Sequence, residues 1–169
     1  AAIAKALVSL GYNATLIEAD RSLATKLITD KIEVAFVALH GPMGEDGTVQ
    51  GMLELLGIPY TGSGVLASAL GMDKILAQRV FTQAGLATPR FTTITVGAAS
   101  ALPSSVDDLF ISDSVVVKPA AGGSTIGVTV VRSRDRDKLR AAIQTAAQFD
   151  AHVIIEEFIA GTEITVAVL

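Results

Sequence analysis

The chain has 169 residues, half of them hydrophobic and only 18% charged, against ~25% charged in an ordinary soluble domain. That length suits one large domain or two small ones with a sizeable core, and the apolar balance suits sheets buried under helices. The net charge of −4 offers no basic face to nucleic acid or anionic lipid, and the absence of cysteine excludes disulfide scaffolds, thiolate metal sites and cysteine nucleophiles.

Residues 1–10 read as a helix capped by Gly11, residues 14–17 as a short strand, and 22–29 as a second helix. Residues 34–39, VAFVAL, form an apolar strand running into His40 and Gly41. The pattern is β/α alternation. In such sheets ligands gather at the carboxyl ends of strands, so His40 and the loop PMGEDG lie where chemistry is usually done. His40 is placed to donate to an anion, and Glu45 to orient an ammonium or fix the loop. On the other reading Asp46 or Thr48 merely caps the helix expected over 48–56, and His40 is satisfied by local backbone. The segment GIPYTGSG then returns through a short strand and turn. Residues 55–72 carry no charge over a membrane-like length, but Gly57, Pro59, Gly62, Gly64 and Gly71 interrupt them, and no transmembrane helix is expected.

A longer helix is expected over 65–84, containing GMDK. Lys74 within it is, by itself, an ordinary surface lysine. Gly85 ends the helix, residues 87–89 mark a domain boundary because Pro89 biases Thr88 toward extended backbone, and 91–96 form a strand. Residues 97–114 show only a weak helical pattern around 106–110 and carry no assigned role.

Residues 115–131 read VVVKPAAGGSTIGVTVV: two β-branched runs joined by a glycine-rich loop. The first run ends on Lys118, and Pro119, having no N–H, is expected to stop the ladder. Gly122, Gly123 and Gly127 permit positive φ and can turn successive N–H groups inward, while Ser124 and Thr125 add hydroxyl donors. The lysine precedes the glycines and a strand follows them, unlike a P-loop or a GxGxxG turn. The stretch is either a β-hairpin flap over a nucleotide, with Lys118 reaching the phosphates, or an ordinary glycine-rich hairpin with a snorkelling lysine.

An amphipathic helix is expected over 134–147, with Leu139, Ile143 and Ala146 or Ala147 on one face. The strand 153–155 leads into Glu156 and Glu157. Such a carboxylate pair can serve acid/base chemistry, a metal, or an amino and ribose hydroxyl site, or can be a solvated strand end. Glu163 starts a strand-like run over 162–169, close enough to share a pocket with Glu157.

Taken together, HGPMGEDGTVQGMLELLGIPYTGSGVLASALGMDK, VVVKPAAGGSTIG and IIEEFIAGTEITVAVL resemble the D-alanine–D-alanine ligase family of the ATP-grasp superfamily across essentially the whole chain. The resemblance implies an α/β protein: a partial Rossmann-like N-terminal domain over 1–64, a central ATP-grasp (α+β) domain with a glycine-rich flap over 65–157, and the first strand of a C-terminal ATP-grasp domain over 158–169. It implies a cytoplasmic, dimeric enzyme that uses ATP with magnesium or manganese to join two D-alanines, through a D-alanyl phosphate, for peptidoglycan precursors.

By matching motif positions, Lys74 and Lys118 would hold ATP phosphates under a flap bearing Gly122, Gly123, Ser124 and Thr125. Glu156, Glu157, Phe158 and Ile159 would form the adenine-side hinge, and Glu163 would bind the ribose hydroxyls. His40 and Glu45 would lie beside the phosphate and D-alanine pocket. Thr125 stands where the family commonly has a second serine, which keeps the hydroxyl. The family's N-terminal glycine-rich loop with its glutamate, and the C-terminal arginine and magnesium ligands, would fall before Ala1 and after Leu169. The expectation is that the polypeptide continues at both ends and that these 169 residues alone are inactive. A D-alanine–D-lactate ligase, or a non-catalytic nucleotide-binding fragment, is the alternative.

Overall fold

The computed structural model describes residues 2–97, 102–103 and 105–166; the last residues of the strand expected over 162–169, and part of the unassigned stretch 97–114, lie outside them. The chain divides into two compact units, Ala1–Val65 and Leu66–Leu169. Each has its own apolar core.

The first unit carries α1 (Ala2–Ser9), α2 (Leu23–Thr29) and α3 (Thr48–Leu56). Leu27, Val49, Leu53 and Ile58 are buried together, with Ile17, Val37 and Leu39 packed against them. α1 ends at Gly11, whose φ of 89° lets the N–H groups of Gly11 and Tyr12 return to the carbonyls of Val8 and Leu7. The strands expected at 14–17 and 34–39 do not form. Ala35 and Tyr60 instead make an isolated parallel bridge, with Ala35 N–H donating to Pro59 O at 2.8 Å and Thr61 N–H to Ala35 O at 3.1 Å. An apolar run supplies strand propensity, but a strand exists only where an aligned partner continues the ladder. Here the next N–H in register, Val37, donates to the Thr61 hydroxyl, and the ladder stops.

The single helix expected over 65–84 is two: α4 (Val65–Met72) and α5 (Lys74–Gln83). Asp73 divides them. Its backbone is extended (φ −93°, ψ 104°), and its carboxylate accepts from the N–H groups of Ile75 and Leu76, starting a new helix at Lys74.

Four strands follow, β1 (Phe91–Thr95), β2 (Val115–Pro119), β3 (Thr129–Val131) and β4 (His152–Glu157), with α6 (Arg136–Ala147) between β3 and β4. The sheet is antiparallel throughout, in the order β1-β4-β2-β3. Residues 106–110 hold one 3-10 turn, Asp107–Leu109. The ladder runs through Pro119, which pairs with Val153, rather than stopping before it. Ala120 N–H donates to His152 O, so even-numbered residues of β2 direct their N–H groups to β4. Pro119 lacks its donor on the β3 side, where pairing ends at Val117.

Strand alternation sorts this sheet into two faces. Val115, Val117, Val153 and Ile155 face α6, and with Leu139, Ala142, Ile143 and Ala146 they form the main core. Each fully buried aliphatic side chain there contributes about 1.5–3 kcal/mol. Lys118 and Glu156 lie on the opposite face.

Candidate active site

β2 and β4 place Lys118 opposite Ile154 and Glu156 opposite Val116, so Lys118 and Glu156 are diagonal neighbours on one face. Lys118 Nζ lies 2.5 Å from Glu156 Oε2, and the Glu156 side chain is only 6% exposed. Its second oxygen accepts from Gln78 Nε2 at 3.0 Å. A buried carboxylate is thereby neutralised by one ammonium and held by one amide.

Lys74 opens α5, and its own N–H donates to Ala120 O at 2.9 Å. Its ammonium donates to three carbonyls at the base of the glycine-rich loop: Gly122 O at 2.7 Å, Pro119 O at 3.1 Å and Ala120 O at 3.4 Å. Burial, and then the nearby charge of Lys118, lower its pKa from the ordinary lysine value. The helical spacing 74, 77, 78, 81 puts Lys74, Ala77, Gln78 and Phe81 along one wall of an open cavity of about 300 Å³, with Lys118 and Glu156 also lining it. Ala87, Thr88 and Pro89 complete its rim. Two ammonium groups at one cavity suit an anion, and the carboxylate beside them offers an acceptor to a donor-bearing ligand.

The glycine-rich loop joins β2 to β3 as a hairpin. Gly122 and Gly127 have φ of 101° and 71°, and Ser124 and Thr125 also adopt left-handed backbone, at 55° and 63°. Two successive non-glycine residues in that region store strain, which natural structures concentrate at functional loops. The loop base is tied down by Ala121 N–H donating to Asp150 Oδ2 at 2.8 Å, and a Cβ on Gly127 would fall 2.7 Å from the Phe149 ring. Gly122, Gly123, Ser124 and Thr125 do not line the cavity themselves; Gly122 is linked to it through Lys74.

Glu156 and Glu157 do not act as a pair. Adjacent strand residues point to opposite faces, and Glu157 is taken by Arg90, whose N–H and Nε donate to it at 3.0 and 2.8 Å. Those bonds hold the Glu157 carboxyl below its usual pKa. Phe158 carries the Arg132 guanidinium 4.6 Å above its ring, and Ile159 is exposed. The strand expected over 162–169 is not formed over 162–166, where no partner strand pairs with it. Glu163 is exposed there and lines no wall of the cavity that holds Glu156.

In the first unit, Glu45 Oε2 accepts from Gly41 N–H at 2.6 Å and so fixes the loop that follows His40, which is exposed. Asp46 accepts from the N–H groups of Met43 and Thr48 at the start of α3. Gly44 is required sterically, since a Cβ would stand 2.4 Å from Leu39 Cβ.

The structure therefore brings Lys74, Lys118 and Glu156 together and adds Gln78, which sequence reasoning passed over. The signal for Gln78 was its position four residues after Lys74, which becomes meaningful once Asp73 starts the helix. Among the described residues no group of three or more His, Asp or Glu side chains is placed to hold a metal. Among them, too, no helix is long and apolar enough to cross a membrane.

Residues 80–169 match the family model of the D-Ala D-Ala ligase C-terminus, and residues 9–63 that of the D-Ala D-Ala ligase N-terminus. The D-alanine–D-alanine ligase of Syntrophotalea carbinolica is 48% identical over 170 residues, covering 99% of this chain and 52% of the relative. That of Geotalea uraniireducens is 44% identical over 169 residues, covering 100% and 53%. The crystal structure of D-alanine–D-alanine ligase from Bacillus anthracis superposes with a TM-score of 0.76 at 38% identity, over 90% of this chain and 49% of that one. The same enzyme complexed with ATP gives 0.74 at 36% identity, over the same 90% and 49%. The chain spans about half the length of the curated relatives it matches.

Fold and neighbours together place the protein in the ATP-grasp class of ligases. Within that class, the chain belongs to the D-alanine–D-alanine ligase family.

Proposed function

We propose that this protein joins two D-alanines at the expense of ATP, in the cytoplasm, to supply the dipeptide of peptidoglycan precursors. The observation that carries the reading is the convergence of Lys74 and Lys118 on one cavity at the root of a glycine-rich hairpin. The ATP complex of the Bacillus anthracis relative supports it.

In this reading a carboxylate oxygen of the first D-alanine attacks the γ-phosphorus of ATP, the bond to the bridging oxygen breaks, and ADP leaves. The amine of the second D-alanine then attacks the acyl carbon, phosphate departs, and the nitrogen gives up a proton. Charge sits on the transferring phosphoryl oxygens, so Lys74 and Lys118, fixed beforehand, lower the barrier by position and field. The hairpin with Gly122, Gly123, Ser124 and Thr125 closes over the phosphates and keeps water from the acyl phosphate.

Glu156, Glu157, Phe158 and Ile159 form the adenine-side hinge, Glu163 holds the ribose, and His40 and Glu45 border the D-alanine site. Magnesium supplies charge neutralisation on the phosphates when bound. The reading also takes 1–64 as a Rossmann-like substrate domain, 65–157 as the central ATP-grasp domain and 158–169 as the start of a C-terminal one, with a homodimer as the assembly.

The test is ADP release by the complete polypeptide from ATP and magnesium, with and without D-alanine. Release that requires D-alanine is expected. ATP bound without any D-alanine-dependent release would overturn the ligase reading.

A further inference from the structure

We propose that Gln78 is a positioning residue for the Lys118–Glu156 pair and, through it, for the nucleotide; this rests on the nucleotide reading above. Glu156 is buried, and a carboxylate can only accept, so it is the amide nitrogen of Gln78 that faces it, 3.0 Å from Oε1. The orientation of the amide follows from that. Lys118 occupies the other carboxylate oxygen.

These two donors have different fates when a phosphate arrives. Lys118 must turn at least part of its ammonium toward the anion, whereas Gln78, on the first turns of α5, has no such call on it. Gln78 then remains as the donor that keeps the Glu156 carboxylate in place. Without it the carboxylate is free to follow the ammonium and hold Lys118 back from the phosphate. The same helix carries Lys74 one turn earlier, on the same cavity wall, so a single rigid element capped by Asp73 sets both groups.

A second observation separates this role from packing. Gln78 Oε1 is buried and accepts no hydrogen bond. Buried acceptors are nearly always satisfied, and a side chain present only to fill space would carry no orphan oxygen. The amide is explained by its donor.

The test uses the complete polypeptide with two substitutions, Gln78→Met, which keeps length and removes the donor, and Gln78→Glu, which sets an acceptor against Glu156. We expect the KM for ATP, and its Kd by calorimetry, to rise roughly tenfold in Gln78→Met and further in Gln78→Glu. The KM for D-alanine should stay within about twofold. Unchanged ATP affinity in both variants would overturn the proposal. So would failure of both to fold, or an equal loss for every substrate with a lowered melting temperature, since those mark a purely structural side chain. Wild-type protein that binds ATP but releases no ADP would overturn the ligase reading instead, while the ATP affinities of the variants would still decide the role of Gln78.

Discussion

Lys118 and Glu156 meet diagonally across β2 and β4, ammonium on carboxylate, on the sheet face opposite α6. Removing Lys118 leaves the Glu156 carboxylate, only 6% exposed, without its ammonium. Lys118→Met should cost about 3 kcal/mol, at the lower end of the range for a broken buried pair because the lysine is 27% exposed. In Lys118→Met/Glu156→Leu the orphan charge is gone, so urea unfolding should show the double variant more stable than the single one. Lys118→Ala should also weaken ATP use strongly. ATP affinity and turnover both unchanged would remove Lys118 from the phosphate site.

Asp73 accepts from two N–H groups at the start of α5 and sets where Lys74 begins that helix. Asp73→Ala should destabilise the protein by about 1 kcal/mol, the usual value of a lost N-cap. It should also lower ATP affinity, because Lys74 loses its defined starting point. Calorimetric titration beside chemical denaturation reads both effects. A stability loss with ATP affinity intact would show that the cap does not set the position of Lys74.

Lys74 gives a pH signature. Its pKa is lowered from 10.5 by burial and by Lys118, so the folded chain releases this proton at lower pH than the unfolded chain does. The sign follows: between the lowered folded value and 10.5 the unfolded state binds more proton, and stability from this group rises with pH across that window. Phosphate affinity moves the other way, since it needs the ammonium. ATP binding should weaken on the alkaline side before an ordinary lysine would titrate. In Lys74→Arg, which stays charged, that alkaline loss should disappear.

Two glycines of the hairpin should respond differently. Gly127 has φ of 71° and stands against Phe149, so Gly127→Ala should destabilise by more than about 1 kcal/mol. A Cβ on Gly123 meets nothing within 4 Å. Gly123→Val should leave stability within about 0.5 kcal/mol and slow turnover by stiffening the loop. Normal turnover in that variant would make the loop a simple connector.

Arg90 and Glu157 set an acid limit. The lowered Glu157 pKa means its contribution is present above the ordinary glutamate value of 4.5 and is lost as pH falls through the lower folded value. Glu157→Gln should therefore flatten the acid side of the stability curve, measured by thermal melts from neutral pH downward. An unchanged acid limb would show that the contact with Arg90 is solvent-screened to nothing.

Much of the second unit was legible. The β-branched run before Lys118, the amphipathic stretch with Leu139 and Ile143, and the glycine-rich connection between strands are all short-range patterns, and they appear as β2, α6 and the hairpin. The start of a second helix at Asp73 was not read from the sequence, where 65–84 passed as one helix; Asp73 is a residue type favoured at N-caps. In the first unit VAFVAL read as a strand because its composition is that of one; Val37 bonds to a threonine hydroxyl instead of a strand carbonyl, and no spacing rule foresees that.

What the sequence determined by itself was the family and such elements as β2, α6 and the glycine-rich hairpin, since periodicity and long motifs are written within a few residues of one another. Only the tertiary structure decided that Glu156 and Glu157 part company, one toward Lys118 and Gln78 and the other toward Arg90. It alone closed the carbonyls of Pro119, Ala120 and Gly122 around Lys74. The reason is range: those contacts join residues 38 to 78 positions apart, and they depend on strand register and on the helix that covers the sheet, which no local pattern encodes.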